Sequence, residues 1–188
     1  PALALPHPLT GGAAELLVIS SARFANSVDA LVSARQAEGL SVRVVTVDQI
    51  YAAYNGGIVD PESIRRFVGE AKQQLGTRYV LLVGGDTYDY FDHLGLGSVS
   101  DVPTLYRKTG EYVNFAPVDS VFGDANGDGL SEVAIGRLPA RTASELTALL
   151  AKVLSPLPSN PWSSVFVAER ANLAEGINYA SELDELIA

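Results

Sequence analysis

The sequence predicts an α/β fold in which an open, mostly parallel sheet carries helices on both faces. Three observations predict this class. Short runs of branched apolar residues recur along the chain, segments with helical periodicity lie between them, and glycine or proline residues stand at the boundaries. Strands that alternate with helices pair in parallel, because each helix carries the chain back across one face of the sheet.

The first half of the chain predicts two strand–helix units. Residues 15–20 form a continuous apolar run, which predicts a strand buried on both faces. Apolar residues at helical spacing predict a helix over 24–39, and a second strand follows over 41–46. The second helix begins with Asp60 as its N-cap and Pro61 in its first turn, and it ends at a glycine.

The second half predicts two more strands around a long irregular segment. The most hydrophobic run, residues 79–83, predicts a central strand buried on both faces. Residues 86–123 show no helical period and contain a predicted hairpin around Gly110. A strand over 132–137 follows, and Thr142 begins the next helix with a glutamate three residues later, which is a capping box.

The domain organisation is simple. A length of 188 residues fits one domain or two small lobes. Residues 1–12, which contain proline, histidine and glycine, predict a linker, and residues 13–188 predict one α/β subdomain. Within it, a last strand is expected over 164–168 and a last helix over 177–187. Ligands of such sheets bind beyond the carboxyl ends of the strands.

Composition excludes several classes of protein. Hydrophobic residues make up 47% and charged residues 19%, which is unlike a disordered chain. The net charge of −9 opposes sequence-independent binding to nucleic acid or anionic lipid. The longest apolar runs are far shorter than the ~20 residues that span a bilayer, so no membrane insertion is expected.

Candidate nucleophiles are few. The chain contains no cysteine, which excludes disulfides and any thiol nucleophile of its own. A serine triad fits poorly, because there is no Gly-x-Ser-x-Gly elbow and the two histidines are His7, in the predicted linker, and His93. The glycine pair at residues 84–85 fits neither the dinucleotide-binding fingerprint nor the Walker pattern of nucleotide-binding loops.

The densest polar segment is the acidic loop, residues 124–132. Its oxygen-bearing side chains at alternate positions and its glycine at the sixth match the first half of a calcium loop. The twelfth position is Ile135 and a strand follows, so it is not an EF-hand. Two interpretations stay open: a calcium site, or a turn whose Asx side chains bond their own backbone. The predicted calcium ligands are Asp124, Asn126, Asp128, the carbonyl of Leu130, and Glu132.

A second acidic group follows the predicted central strand. Asp86 and Asp89 lie just past its carboxyl end, where a ligand is expected in an open α/β sheet. They are predicted either as a second acidic ligand site or as solvated loop residues.

Several segments, read in order, resemble the gingipain-type family of secreted bacterial cysteine peptidases. They are LLVIS at 16–20, EGLSV at 38–42, VTVDQIY at 45–51, DPESIRRF at 60–67, YVLLVG at 79–84, TYDY at 87–90, VP at 102–103 and AIGRLP at 134–139. The last, preceded by the acidic loop, is the most specific. Together the matches cover the chain from residue 15 to about residue 168.

The resemblance implies the amino-terminal subdomain of a caspase-like catalytic domain, a Rossmann-like three-layer sandwich. In that family the catalytic cysteine and histidine lie in the following subdomain, and neither motif is present here. The expected function is a non-catalytic scaffold for the catalytic half of a secreted or cell-envelope endopeptidase, with calcium as a possible cofactor. The downstream catalytic subdomain and a protein or peptide substrate are the expected partners. The chain should be inactive alone.

The resemblance also implies one wall of a substrate cleft after the last predicted strand, where Glu169 and Glu175 lie. The alternative function, from a different class, is a stand-alone calcium-stabilised binding or pseudo-peptidase module. A His-Gly motif followed by a cysteine downstream of residue 188 would favour the peptidase.

Overall fold

The structure is a computed structural model that describes residues 7–155. By its contacts the chain divides into two units after Leu154, and the strands and helices of the described residues lie in the first unit. The strand predicted over 164–168 and the helix predicted over 177–187 lie outside the described residues. Within residues 7–155, no helix has the length and apolar character needed to cross a membrane.

Ten strands and α-helices are described. In chain order they are β1 (Leu16–Ser20), α1 (Asp29–Ala37), β2 (Val42–Thr46), α2 (Val47–Asn55), α3 (Pro61–Leu75), β3 (Tyr79–Val83), β4 (Tyr106–Arg107), β5 (Ala116–Pro117), β6 (Ala134–Leu138) and α4 (Ala143–Leu154). Short 3-10 helices lie at Ala25–Val28, ahead of α1, and at Asp119–Gly123, ahead of the acidic loop.

Four of the strands form one parallel sheet in the order β2-β1-β3-β6. Leu17 of β1 lies opposite Val80 of β3, and Ile19 lies opposite Leu82. All five residues of β1 are buried, because this strand has a neighbour on each side and helices above and below. The predicted parallel sheet is confirmed.

Helices cover both faces of this sheet, as predicted. Since successive side chains of a strand point to opposite faces, Leu17 and Ile19 join the core under α2 and α3, together with Phe67. Leu16 and Val18 join the core under α1 and α4. The architecture is therefore an α/β three-layer sandwich.

Helix α2 was not predicted. It follows β2 directly, so that Thr46 is both the last residue of the strand and the N-cap of the helix. The Thr46 hydroxyl accepts a hydrogen bond from the Gln49 backbone N–H, and the Gln49 side chain accepts one from the Thr46 backbone N–H. This capping box was the available sequence signal, but no glycine or proline separates strand from helix to mark the boundary.

Strand β3 is less buried than predicted. Leu82 is fully buried, whereas Leu81 is only half-buried and Tyr79 is exposed. On the face of Leu81, a cavity of about 390 Å³ lies between the sheet and the helices, with Leu31 and Val153 in its lining. The prediction of complete burial on both faces is therefore wrong for this strand.

The remaining predicted elements appear with shifted ends. The hairpin around Gly110 is a two-residue antiparallel ladder that pairs Tyr106 with Pro117. The Thr142 hydroxyl accepts a hydrogen bond from the Glu145 backbone N–H at the start of α4, as predicted. Part of the predicted linker lies against the domain, because Arg43 donates hydrogen bonds to the carbonyl oxygens of Pro8 and Gly12.

Candidate functional site

Polar side chains gather at both edges of the parallel sheet. The long segment 86–123 follows β3 and therefore begins at the carboxyl edge, where Asp86 and Asp89 lie. The acidic loop immediately precedes β6, so it lies at the amino edge. The two acidic groups predicted from the sequence are thus separated by the length of the strands.

At the carboxyl edge, Arg23 and Asp101 join two distant parts of the chain. Arg23 Nε lies 2.6 Å from Asp101 Oδ1, and its Nη2 donates to the second carboxylate oxygen. The Asp101 side chain is only 3% exposed, so its charge needs this partner. The Arg23–Asp101 hydrogen bonds also raise the pKa of Arg23, although burial opposes the shift.

A second Arg–Asp pair, Arg137 with Asp119, joins the segment 86–123 to strand β6. Asp119 accepts hydrogen bonds from the guanidinium of Arg137, a residue of β6, and from the Thr104 hydroxyl. Burial alone would raise the pKa of Asp119, but the hydrogen bonds and charge of Arg137, with the Thr104 bond, lower it below its ordinary value. The carboxylate is therefore held in its charged form.

Asp86 and Asp89 both accept hydrogen bonds within the loop that follows β3. The two Asp86 oxygens accept from Ser100 Oγ at 3.0 Å and Tyr106 Oη at 2.9 Å. Asp89 is nearly buried and accepts from the backbone N–H groups of His93 and Leu94. These contacts give both carboxylates a role in shaping the loop.

In the acidic loop, side-chain oxygens bond backbone N–H groups of the same turn. Asp124 accepts from the N–H groups of Gly127 at 2.7 Å and Gly129 at 3.0 Å. Asn126 Oδ1 accepts from the N–H of Asp128 at 2.8 Å. The φ angles of Gly127 and Gly129 are +81° and +89°, a backbone conformation that residues with a side chain rarely adopt. The Asx-turn geometry predicted as one interpretation is therefore present.

Two further carboxylates complete this turn. Asp128 Oδ1 accepts from the N–H of Leu130 at 2.8 Å, and Glu132 Oε2 accepts from the N–H of Ala125 at 2.8 Å. Leu130 itself is 72% exposed. The loop is thus a compact ring of backbone donors and carboxylate acceptors.

The same turn brings three carboxylates to one point. Asp124, Asp128 and Glu132 each offer an oxygen within 4.8 Å of the other two. Oxygen ligands lie 2.3–2.6 Å from calcium, so two ligands of one ion are at most about 5 Å apart. The nearest described cation is Lys72, 4.0 Å from Glu132. Among residues 7–155, neither Asp86 nor Asp89 belongs to such a three-residue group.

Other predicted residues contribute less to the described geometry. Glu169 and Glu175, the predicted cleft wall, lie outside the described residues. His93 is exposed and stacks edge-on against Phe91, and His7 lies beside Tyr54. The Arg23 and Arg137 pairs were missed, because their partners lie 78 and 18 residues away and no local pattern links them.

The family of the chain is shown by its match to the model of Peptidase family C25, which covers residues 10–184. The chain belongs to peptidase family C25. The resemblance to gingipain-type cysteine peptidases seen in the sequence is thereby confirmed. No curated protein sequence matches this C25 chain significantly.

Solved structures similar to this C25 chain include two from Porphyromonas gingivalis. Dimeric latent PorU is 22% identical, with a TM-score of 0.58 over 74% of this chain and 15% of its own. The complex of RgpB pro- and mature domains is 22% identical, with a TM-score of 0.57 over 74% of this chain and 28% of its own. At this identity the similarity shows the fold.

A third similar structure is the Arg-specific cysteine proteinase gingipain R (RgpB). It is 21% identical, with a TM-score of 0.53 over 76% of this chain and 28% of its own. The C25 chain therefore corresponds to less than a third of the length of each of these proteins. The fold and the family are those of a gingipain-like peptidase domain.

Proposed function

We propose that this chain is the non-catalytic amino-terminal subdomain of a secreted gingipain-like cysteine endopeptidase. In this role it scaffolds the catalytic half and carries a calcium site. The observation that carries the proposal is the combination of a C25 family match over residues 10–184 with a cysteine count of zero. A cysteine peptidase needs a thiolate nucleophile. In the proposed parent protein, the cysteine that supplies it therefore lies outside these 188 residues.

The exposed apolar side chains support a scaffolding role. Clusters of exposed apolar side chains on a soluble domain often mark contact sites for another protein or domain. Among the described residues, eight of the thirteen exposed large apolar side chains fall between positions 88 and 115. They are Tyr88, Phe91, Leu94, Leu96, Val99, Tyr112, Val113 and Phe115. The proposed partner of these exposed side chains is the downstream catalytic subdomain of the same protein.

The acidic loop supports the calcium site. Its three convergent carboxylates repel one another, and a divalent cation bound by oxygen would remove that repulsion. Asn126 supplies a further side-chain oxygen, and the carbonyl of Leu130 is the proposed backbone ligand. The loop packs against α3, with Ala125 beside Gly69, and it leads into β6, so a bound ion would stabilise the loop between these two elements.

The function is tested by comparing this chain with the protein encoded by its full open reading frame. Both are assayed with fluorogenic peptides that carry basic, acidic or apolar residues at the cleaved position. The proposal expects turnover only by the longer protein, and its loss with a thiol-alkylating reagent. If the longer protein lacks both the His-Gly motif and a cysteine and shows no turnover, the proposal is wrong. The alternative function, a stand-alone calcium-stabilised module, then takes its place. Turnover by the 188-residue chain that one of its own substitutions abolishes would also overturn it.

A further inference from the structure

The hairpin of β4 and β5 has the most exposed tip in the described part of the chain. Residues 107–115 are all exposed, and they form the longest continuous exposed run among residues 7–155. Within the described residues, positions 108–115 form a single hydrogen bond, from the N–H of Thr109 to the carbonyl oxygen of Val113 at 3.0 Å. Exposed loop tips are preferred sites of proteolytic cleavage, because little structure has to open before the backbone can enter an active site.

The base of the hairpin is held firmly, in contrast to its tip. Arg107 Nη2 lies 2.7 Å from Glu62 Oε1, which ties the end of β4 to the first turn of α3. The rings of Tyr106 and Phe115 stack with their centroids 4.4 Å apart. The weakly held part of the hairpin therefore begins at Lys108, the first residue after β4.

Lys108 is also the residue that a protease could recognise there. Its ammonium group forms no ion pair or hydrogen bond within residues 7–155, so it is available to the specificity pocket of an enzyme. The chain contains two other lysines, Lys72 and Lys152, which lie in α3 and α4. A helix has to unwind before a protease can bind its backbone in an extended form. The arginines among residues 7–155 lie in a helix or strand or next to a buried residue.

We propose that the Lys108–Thr109 bond is a processing site, at which an endopeptidase specific for basic residues cuts the folded domain. Water is the co-reactant, and the C–N bond between the two residues breaks. The oxygen of the water becomes part of the new carboxylate of Lys108, and its two protons go to the nitrogen of Thr109, which becomes an ammonium group. This chain is the substrate in that step and the enzyme is a separate protein, so the inference does not depend on the proposed function.

The cut domain should stay folded, because strong contacts join the two pieces. Strand β6, after the cut, pairs with β3, before it, along the full length of both strands. Arg137 of β6 donates hydrogen bonds to the carbonyl oxygens of Gly84 and Val102. Phe122 is fully buried in the core under α2 and α3. Cleavage therefore produces a domain of two pieces rather than two separate fragments.

The test treats the 188-residue chain with a lysine-specific endopeptidase under native conditions and follows the products by mass spectrometry. The first products should be a piece that ends at Lys108 and a piece that begins at Thr109. Cleavage after Lys72 or Lys152 should be at least about tenfold slower, since their helices must open first. The cut protein should elute from gel filtration with the intact chain and separate into its pieces in denaturant.

Two variants and one melting experiment sharpen the result. Lys108→Gln should slow the first cleavage at least about tenfold, because the specificity pocket no longer receives an ammonium group. Lys152→Gln is the matched control and should be cut at the wild-type rate. The melting temperature of the cut protein should rise with protein concentration, because its unfolding releases two molecules.

Three outcomes would overturn the inference. A first cut after Lys72 or Lys152 would show that a helix opens more readily than the hairpin tip. Equal rates for wild type and Lys108→Gln would show that Lys108 is not the recognised residue. Separation of the pieces without denaturant, or loss of the circular dichroism spectrum on cleavage, would show that the cut destroys the domain.

Discussion

Arg137 donates two parallel hydrogen bonds to Asp119, from Nε to Oδ2 and from Nη2 to Oδ1, each 2.7 Å long. Its Nη1 donates to the carbonyl oxygens of Gly84 at 2.9 Å and Val102 at 2.8 Å. One side chain of β6 therefore holds the exit of β3 together with the middle and the last part of the long segment 86–123. The arrangement satisfies backbone acceptors that no strand or helix pairs.

Replacing this guanidinium should destabilise the domain strongly. Arg137→Met leaves two backbone carbonyls without a donor and leaves Asp119 with the Thr104 hydroxyl alone, so the free energy of unfolding should fall by about 2–4 kcal/mol. Arg35→Met is the control, because the Arg35–Glu38 pair is a surface pair whose loss should cost at most about 1 kcal/mol. Urea unfolding measures both changes. Equal midpoints for the two variants would show that the Arg137 contacts are dispensable.

The Arg137–Asp119 pair also makes the free energy of unfolding depend on pH. The pKa of Asp119 lies below its ordinary value of 3.8, so the unfolded chain takes up a proton at higher pH than the folded one does. The contribution of Asp119 is therefore complete above pH ~5 and is lost as the pH falls through its lowered folded value. Asp119→Asn should lose stability at pH 7 and show a shallower decline between pH 5 and 3, measured by urea unfolding. The variant keeps some slope, because Arg65 and Arg107 also lower the pKa of Glu62 against the effect of burial. Parallel wild-type and variant profiles would contradict the assignment.

The sequence predicted the layers of this fold better than its polar contacts. Strand β1 was located because a buried parallel strand is a continuous apolar run, and α3 because Asp60 and Pro61 mark its start in the local sequence. Helix α2 was missed where Thr46 serves strand and helix at once. The acidic loop was found because its oxygen-bearing side chains are close in sequence. The partner of Arg23 depends on how segments 78 residues apart meet, which no local pattern encodes.

Gly84 is required where the chain leaves β3. Its φ is +137°, and a Cβ at this position would overlap the Asp101 side chain. Gly84→Ala should therefore cost about 1–2 kcal/mol of backbone strain and a further 1–3 kcal/mol from the overlap. Gly39→Ala, with φ +93° and no atom near its Cβ position, should show the strain alone. Thermal unfolding compares the two, and a Gly39 variant at least as unstable as the Gly84 variant would contradict the close approach.

Aspartate substitutions at two neighbouring leucines of β3, Leu81 and Leu82, should differ in their effect on stability. Leu82 is fully buried under α2 and α3, so Leu82→Asp places an unpaired charge in the core and should prevent folding, since domains are stable by only about 5–15 kcal/mol. Leu81 is half-buried beside the cavity of about 390 Å³, and Leu81→Asp should cost only about 1–2 kcal/mol. Circular dichroism melting distinguishes them. A folded Leu82→Asp protein, or an unfolded Leu81→Asp protein, would show that the two faces are assigned wrongly.

The calcium proposal predicts a melting temperature that depends on the ion. If Asp124, Asp128 and Glu132 bind calcium in the folded state, free calcium at 100 times the dissociation constant adds about 2.7 kcal/mol of stability. Magnesium should substitute poorly, because it needs a smaller and more regular octahedral shell. Melting is compared in calcium and in excess chelator for wild type and Asp128→Ala, with Asp92→Ala as a control outside the acidic loop. The calcium-dependent increase should vanish in Asp128→Ala and persist in Asp92→Ala.

The self-bonded Asx turn, in contrast, predicts identical wild-type melting curves in calcium and in chelator. It also predicts only a modest loss of stability in Asp128→Ala, since the hydrogen bonds that Asp124 accepts from Gly127 and Gly129 remain. Identical wild-type curves at millimolar free calcium would therefore remove the metal site and leave the loop a structural turn.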